Sequence, residues 1–215
     1  MTGAGHMTDK VICEAFEPRS CEVIFDRETP TDFHPNTMRL RAYLNDEEIG
    51  SEVFYSVGGG SILTDGESRV ETVDIYPHNT YSEIAEYCNK HNMRIPDYVE
   101  MIEGKDIWNY LSKIWLTMKQ SVDLGLCTEG TLGGGLHVTR KARVLFQQRH
   151  IDESAQTREN RIVCAYAFAV GEQNASGEKI VTAPTCGAAG IVPAVLYYQQ
   201  EKNDLSDGSM VRALM

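Results

Sequence analysis

The sequence predicts an α+β fold in two successive parts: the remnant of a small α+β domain over residues 1–76, then a mostly α-helical domain over residues 77–215. Three observations carry this reading. Apolar Met38, Leu40, Ala42 and Leu44 alternate with Arg39, Arg41 and Tyr43, the period of a strand with one buried face. Tyr76-Pro77 then bars continuation of either a ladder or a helix. Beyond it the apolar spacing becomes helical, most clearly in Ile107, Trp108, Leu111, Ile114, Trp115, Met118 and Val122.

The elements follow in order. A glycine-rich turn, Gly3-Ala4-Gly5-His6, leads into a helix over residues 9–16, where Asp9 suits the positive end of the helix dipole. Residues 21–25 read as a short strand, and residues 29–37, with Pro30 and Pro35, as a loop. The alternating run 38–44 turns at Asn45-Asp46-Glu47 and returns over 49–57 as a hairpin. After Gly58-Gly59-Gly60 a last extended piece covers residues 70–75. Thr80-Tyr81-Ser82-Glu83 is a capping-box pattern opening a helix to about residue 91, and a short helix follows Pro96. The longest helix is expected to stop at Gly125, and further helices over 139–148, 158–173 and 188–200. Trp108, Trp115 and Met118 recur at helical spacing and read as core rather than as a cofactor box.

Composition narrows the partners. Thirty-one acidic residues against 20 Lys and Arg give a formal net charge of -11, with no basic cluster or stripe, which argues against nucleic acid and anionic membrane surfaces. No apolar run approaches the length of a bilayer span and no signal-peptide pattern opens the chain, so a cytoplasmic protein is expected. The six cysteines form no CxxC pair; a reducing compartment would keep them as thiols, most of them acting as small buried hydrophobes. No local metal site is indicated by their spacing.

Three stretches are richer in glycine and small polar residues than a packed domain needs: residues 2–9, 56–61 and 182–190. The third, Thr182-Ala183-Pro184-Thr185-Cys186-Gly187-Ala188-Ala189-Gly190, runs directly into a helix with Pro193 in its first turn, where free N–H groups favour an anion such as a carboxylate. The plain alternative is a tight turn capped by Thr185. A triple glycine is more often ordinary loop, and a lone histidine such as His6 more often structural. A fourth stretch, Cys127-Thr128-Glu129-Gly130-Thr131-Leu132-Gly133-Gly134-Gly135-Leu136 followed by Arg140-Lys141-Ala142, sets a carboxylate and two cations beside a flexible loop, or is simply a loop with solvated charges.

Four motifs in order, Gly3-Ala4-Gly5-His6-Met7-Thr8-Asp9, Phe54-Tyr55-Ser56-Val57-Gly58-Gly59-Gly60, Thr128-Glu129-Gly130 with Arg140-Lys141-Ala142, and Val181-Thr182-Ala183-Pro184-Thr185-Cys186-Gly187-Ala188-Ala189-Gly190-Ile191-Val192-Pro193, resemble the iron-sulfur L-serine dehydratases over essentially the whole chain. The resemblance implies a partial beta-type domain over 1–76 and a partial alpha-type catalytic domain over 77–215. It implies an L-serine ammonia-lyase of amino-acid catabolism that gives pyruvate and ammonia, with a [4Fe-4S] cluster whose open iron polarises the substrate hydroxyl. His6 matches the histidine of the family's GxGH turn, a candidate for proton transfer or substrate orientation. Thr182, Thr185, Gly187 and Ala188, with Ser56, Gly58 and Gly59, match loops expected to hold L-serine.

The sequence departs from the family pattern in several places. No serine-rich segment ending in His-Thr precedes the GxGH turn, Ala189 stands where many members have a cluster cysteine, Cys186 stands where some have asparagine, and glycine replaces a common proline in Leu132-Gly133-Gly134-Gly135. Cluster ligands are therefore expected outside this chain, which reads as an incomplete form, partnered by further copies of itself or by a complementing chain. Two other readings remain: a related cluster-dependent lyase acting on another small amino acid, and an amino-acid-binding regulatory module without turnover.

Overall fold

The computed structural model describes residues 7–31, 33–58, 61–66, 74–133, 136–149, 151–182 and 186–215. The chain divides into two compact units, Met1–Val73 and Asp74–Met215.

The first unit holds helix α1 (Thr8–Phe16) and an antiparallel sheet ordered β1 (Thr37–Leu44), β2 (Glu47–Gly58), β3 (Ser61–Thr64). The expected hairpin is present, pairing Thr37 with Tyr55 through Leu44 with Glu47 with a register shift between Ala42 and Tyr43, but the expected buried face is not: Met38 and Leu40 are half-buried while Ala42 and Leu44 are exposed. Its tight turn places Asn45 at φ 50° and Asp46 at φ 66°. These are left-handed angles that Asn and Asp tolerate and that match the twist of the flanking strands. β3 was not anticipated, because four residues are too few to show an alternation; within it Leu63 is buried and Ile62 exposed. Residues 21–25 form no strand: they find no ladder partner, and Ile24 is left largely in solvent. Residues 70–73 of the last expected extended piece lie outside the described residues, and Asp74 and Ile75 carry no ladder.

The second unit is helical: α2 (Tyr81–Lys90), α3 (Ile95–Glu103), α4 (Asp106–Cys127), α5 (Ala142–Gln147), α6 (Ala155–Ala175), α7 (Ile191–Asn203) and α8 (Asp207–Leu214). The capping box of α2 is reciprocal: Glu83 N–H donates to Thr80 Oγ1 at 3.3 Å and Thr80 N–H to Glu83 Oε2 at 3.0 Å. The α4 stripe lies inward as expected, with Trp115, Met118 and Val122 buried and Trp108 half-buried. Trp115 and Met118 pack with Met210 and Val211 of α8, a helix too short and too polar on its outer side to be recognised in advance. Ser206 starts α8 by accepting from Ser209 N–H at 3.2 Å.

Gly125 does not end α4; the helix continues to Cys127. The glycine is there because α6 crosses at that point: a Cβ on Gly125 would sit 2.4 Å from the Ala169 carbonyl oxygen. A Cβ on Gly190, at the start of α7, would likewise sit 2.6 Å from the Ala167 oxygen. Two glycines thus let α4 and α7 approach the backbone of α6 at successive small residues, and Val122, Tyr166, Val170, Ala189 and Ala194 close the core around it. The cysteine expectation fails: Cys88 is buried, Cys13 and Cys21 are half-buried, and Cys127, Cys164 and Cys186 are exposed. Cys127 ends a helix, and Cys164 lies on a face of α6 that no described element covers.

Candidate active site at the C-terminal end of α6

α6 is apolar through Val163 to Val170 and then turns polar at Glu172, Gln173, Asn174 and Ser176. Glu172 and Gln173 fall on the same helical face as Ala165 and Ala169, so their side chains are carried into the interior, where both are more than nine-tenths buried. Glu172 Oε1 accepts from the backbone N–H groups of Lys141 at 2.5 Å and Ala142 at 3.2 Å. The carboxylate so placed satisfies the first amides of α5 and lies at the positive end of that helix. Its other oxygen, Oε2, has no hydrogen-bond partner among the described residues. A buried carboxylate oxygen left open is a costly arrangement and a ready acceptor for a proton or an N–H or O–H donor.

Beside it Arg140 Nη1 donates to Gln173 Oε1 at 2.9 Å, and Nη2 donates to the hydroxyl of Ser176, which itself donates to the Glu172 carbonyl at 2.9 Å. Arg140 therefore draws the 130–140 loop onto the negative end of α6 through neutral partners. That loop is a small closed ribbon: Thr131 bridges Thr139, Leu132 N–H donates to Val138 at 2.8 Å, and Arg140 N–H donates to the Gly130 carbonyl at 2.9 Å. Gly130 takes φ 108°, which L side chains rarely adopt. Glu129 pairs with Arg143 at 3.0 Å, an exposed contact that adds little stability.

The 182–190 segment reaches the same helix end. Asn174 Nδ2 donates to the Cys186 carbonyl at 3.5 Å, and Thr182 Oγ1 lies 3.8 Å from Cys186 Sγ. Cys186–Ala188 form a 3₁₀ turn, and α7 starts at Ile191 with Gly190 wedged against Ala167. Two stretches far apart in sequence, 128–142 and 182–190, thus meet on residues 172–176 of α6.

Residues 36–215 match the family model described as "Serine dehydratase alpha chain". The chain belongs to the serine dehydratase alpha chain family. It is 36% identical over 196 residues to L-serine dehydratase 1 of Escherichia coli, covering 82% of this chain and 43% of that protein. It is 35% identical over 191 residues to the L-serine dehydratase of Streptomyces coelicolor (82% and 42%) and 32% identical over 210 residues to that of Helicobacter pylori (90% and 45%). The chain spans less than half the length of these relatives. The match to the serine dehydratase alpha chain starts at residue 36, so it takes in the sheet as well as the helices.

Of the residues singled out in the sequence, Thr182 and Gly187 are exposed and Ala188 is half-buried, all three on the segment docked on α6. Ser56 lies on β2, its N–H donating to the Asn36 carbonyl at 2.9 Å, and the irregular pairing between Ser56 and Gly58 leads into β3. His6, Gly59 and Thr185 lie outside the described residues. The sequence reading missed Glu172, Gln173, Asn174 and Ser176; the available signal was a Glu-Gln pair on the buried period of an otherwise apolar helix. Among the described residues no group of three His, Cys, Asp or Glu side chains converges to hold a metal ion, and no helix is long and apolar enough to cross a membrane.

Proposed function

We propose that this chain forms part of an enzyme that deaminates L-serine to pyruvate and ammonia, and that the α6 end is part of its substrate site. The observation that carries the reading is the meeting of the family's two motif segments, 128–142 and 182–190, on Glu172–Ser176 of one helix. The relatives named L-serine dehydratase support the substrate. In this reading Thr182, Thr185, Gly187 and Ala188 hold the carboxylate end of L-serine, while Ser56, Gly58 and Gly59 stay candidates for substrate binding, and His6 for orienting substrate or moving a proton, on the motif resemblance alone. Arg140 holds the loop geometry, while Glu172 anchors the start of α5 and offers its open oxygen to a donor.

The [4Fe-4S] cluster implied by the resemblance does not fit the described residues, since no ligand group converges there. That its ligands come from polypeptide outside this chain, in a cytoplasmic homo-oligomer or with a complementing chain, is part of the same proposal. The test is an anaerobic assay of this chain joined with the portion of a serine dehydratase that the match does not cover, reading pyruvate from serine and cysteine and oxobutyrate from threonine. Serine turnover that Gly187→Val abolishes without loss of the joined complex is the expected result. Serine binding with no turnover would reject the enzyme reading in favour of a regulatory module, and preferred turnover of threonine or cysteine would reject the substrate.

A further inference from the structure

α6 is enclosed on three sides: α4 crosses at Gly125 against Ala169, α7 at Gly190 against Ala167, and the start of α5 is held by Glu172. Its fourth side carries Cys164, Phe168, Gly171 and Ala175, at i, i+4, i+7 and i+11, and all four are exposed. This side holds no charged residue, whereas a helix that faces water on one side normally carries a polar stripe there. A cation from outside the helix, Lys141 Nζ, lies over the Phe168 ring, 6.0 Å from its centre.

Gly171 sharpens the point. A glycine inside a helix costs about 1 kcal/mol relative to alanine. At Gly125 that cost is offset by a helix crossing close enough to exclude a Cβ, but a Cβ on Gly171 would meet nothing within 4 Å. The same device is present, aimed at open space.

We infer that the Cys164–Phe168–Gly171–Ala175 face of α6 is the crossing site for an apolar helix from the portion of the serine dehydratase that the relatives carry outside the matched stretch. The relatives supply the occupant: the match covers 43% of the Escherichia coli protein, so more than half of that protein's length is available to provide it. Its backbone passes over Gly171, and Phe168 fills a hollow beside the crossing. The inference does not depend on the proposed reaction, because it is read by association rather than turnover.

The test combines two measurements. In this chain alone, Cys164 should react readily with a thiol reagent, located by peptide mass spectrometry, and light scattering should give a monomer. When the uncovered portion of Escherichia coli L-serine dehydratase 1 is co-expressed, the two polypeptides should co-purify and the Cys164 reaction should slow by about tenfold or more. Gly171→Leu separates docking from folding, since its side chain meets open space in the isolated chain and favours helix; it should raise the melting temperature of the chain alone while weakening the association about tenfold or more. Failure to co-purify, or equal association by Gly171→Leu, would overturn the inference. So would a protected Cys164 in the chain alone, or a dimer of the chain that Gly171→Leu abolishes; the latter would make a second copy the occupant. A complex that forms but releases no pyruvate would count only against the proposed function.

Discussion

Replacing Gly125 by alanine adds one methyl group to a helix, and by propensity alone it should stabilise α4 by about 1 kcal/mol. The structure reverses the sign. The new Cβ would lie 2.4 Å from the Ala169 oxygen and 2.7 Å from its carbonyl carbon and Cα, about one ångström inside ordinary contact. Every obstructing atom is backbone of α6, so no rotamer change relieves the clash and the two helices must separate. Overpacking of this kind costs about 1–3 kcal/mol, with the upper end apt where backbone is the obstacle. Separation also loosens Val122, Tyr166 and Val170, which pack around the crossing. The net expectation is a loss of about 1–2 kcal/mol, or a melting temperature lowered by roughly 3–8 °C for a unit of this size. Far-UV circular dichroism melts of the wild type and the variant measure it, with Gly171→Ala as the matched control expected to move upward. A Gly125→Ala protein at least as stable as the wild type would refute the assignment of Gly125 as a crossing glycine.

Three further outcomes are expected. Arg161 and Glu153 form a nearly buried two-pronged ion pair, both contacts at 2.7 Å, so Arg161→Met, which removes one partner of a largely desolvated pair, should cost about 3–5 kcal/mol, and chemical denaturation of the variant checks this. Asp207 is held at about 2 by hydrogen bonds from Lys119, Gln200 and Trp115. A lowered carboxylate contributes stability above its ordinary value near 3.9 that is lost as pH falls toward 2, so an acid titration of Asp207→Asn should show a shallower decline over that interval; the difference is small because the side chain is 61% exposed. Burial, then donation to Glu201 and Asp123 respectively, pushes the Tyr166 and Tyr197 phenols well above their ordinary range. Their contribution is complete below about pH 10 and is lost at higher pH, so phenolate absorbance should show a late component that appears with unfolding and is absent from the Tyr166→Phe, Tyr197→Phe double variant.

The parts of the fold legible in the sequence were those written in local chemistry. The Asn45-Asp46 turn, the Thr80–Glu83 capping box and the α4 stripe each depend on residues within one or two turns of one another, and each is present. Gly125 was misread because a glycine near a helix end carries the same local signal whether it terminates the helix or admits a neighbour. Only Ala169, forty-four residues later, distinguishes the two. Residues 21–25 failed for a related reason: strand-like residues become a strand only where a partner ladder exists.

The candidate site divides in the same way. Glycine-rich, small-polar segments announce themselves, as 182–190 does, and the 127–136 loop followed by Arg140-Lys141-Ala142 stands out by its charges beside a flexible loop. What joins them was not announced, because Glu172 and Gln173 look like ordinary members of a polar helix end until α6 is seen to be enclosed on that side. There the carboxylate holds two backbone amides of α5 and keeps one oxygen open, while Arg140 fastens the same segment to Gln173 and Asn174 donates to the Cys186 carbonyl of the other. Small residues bring the backbones close at Ala167 and Ala169, and polar residues begin one turn later at Glu172. The helix that organises the core is therefore also the one that brings the two motif segments together.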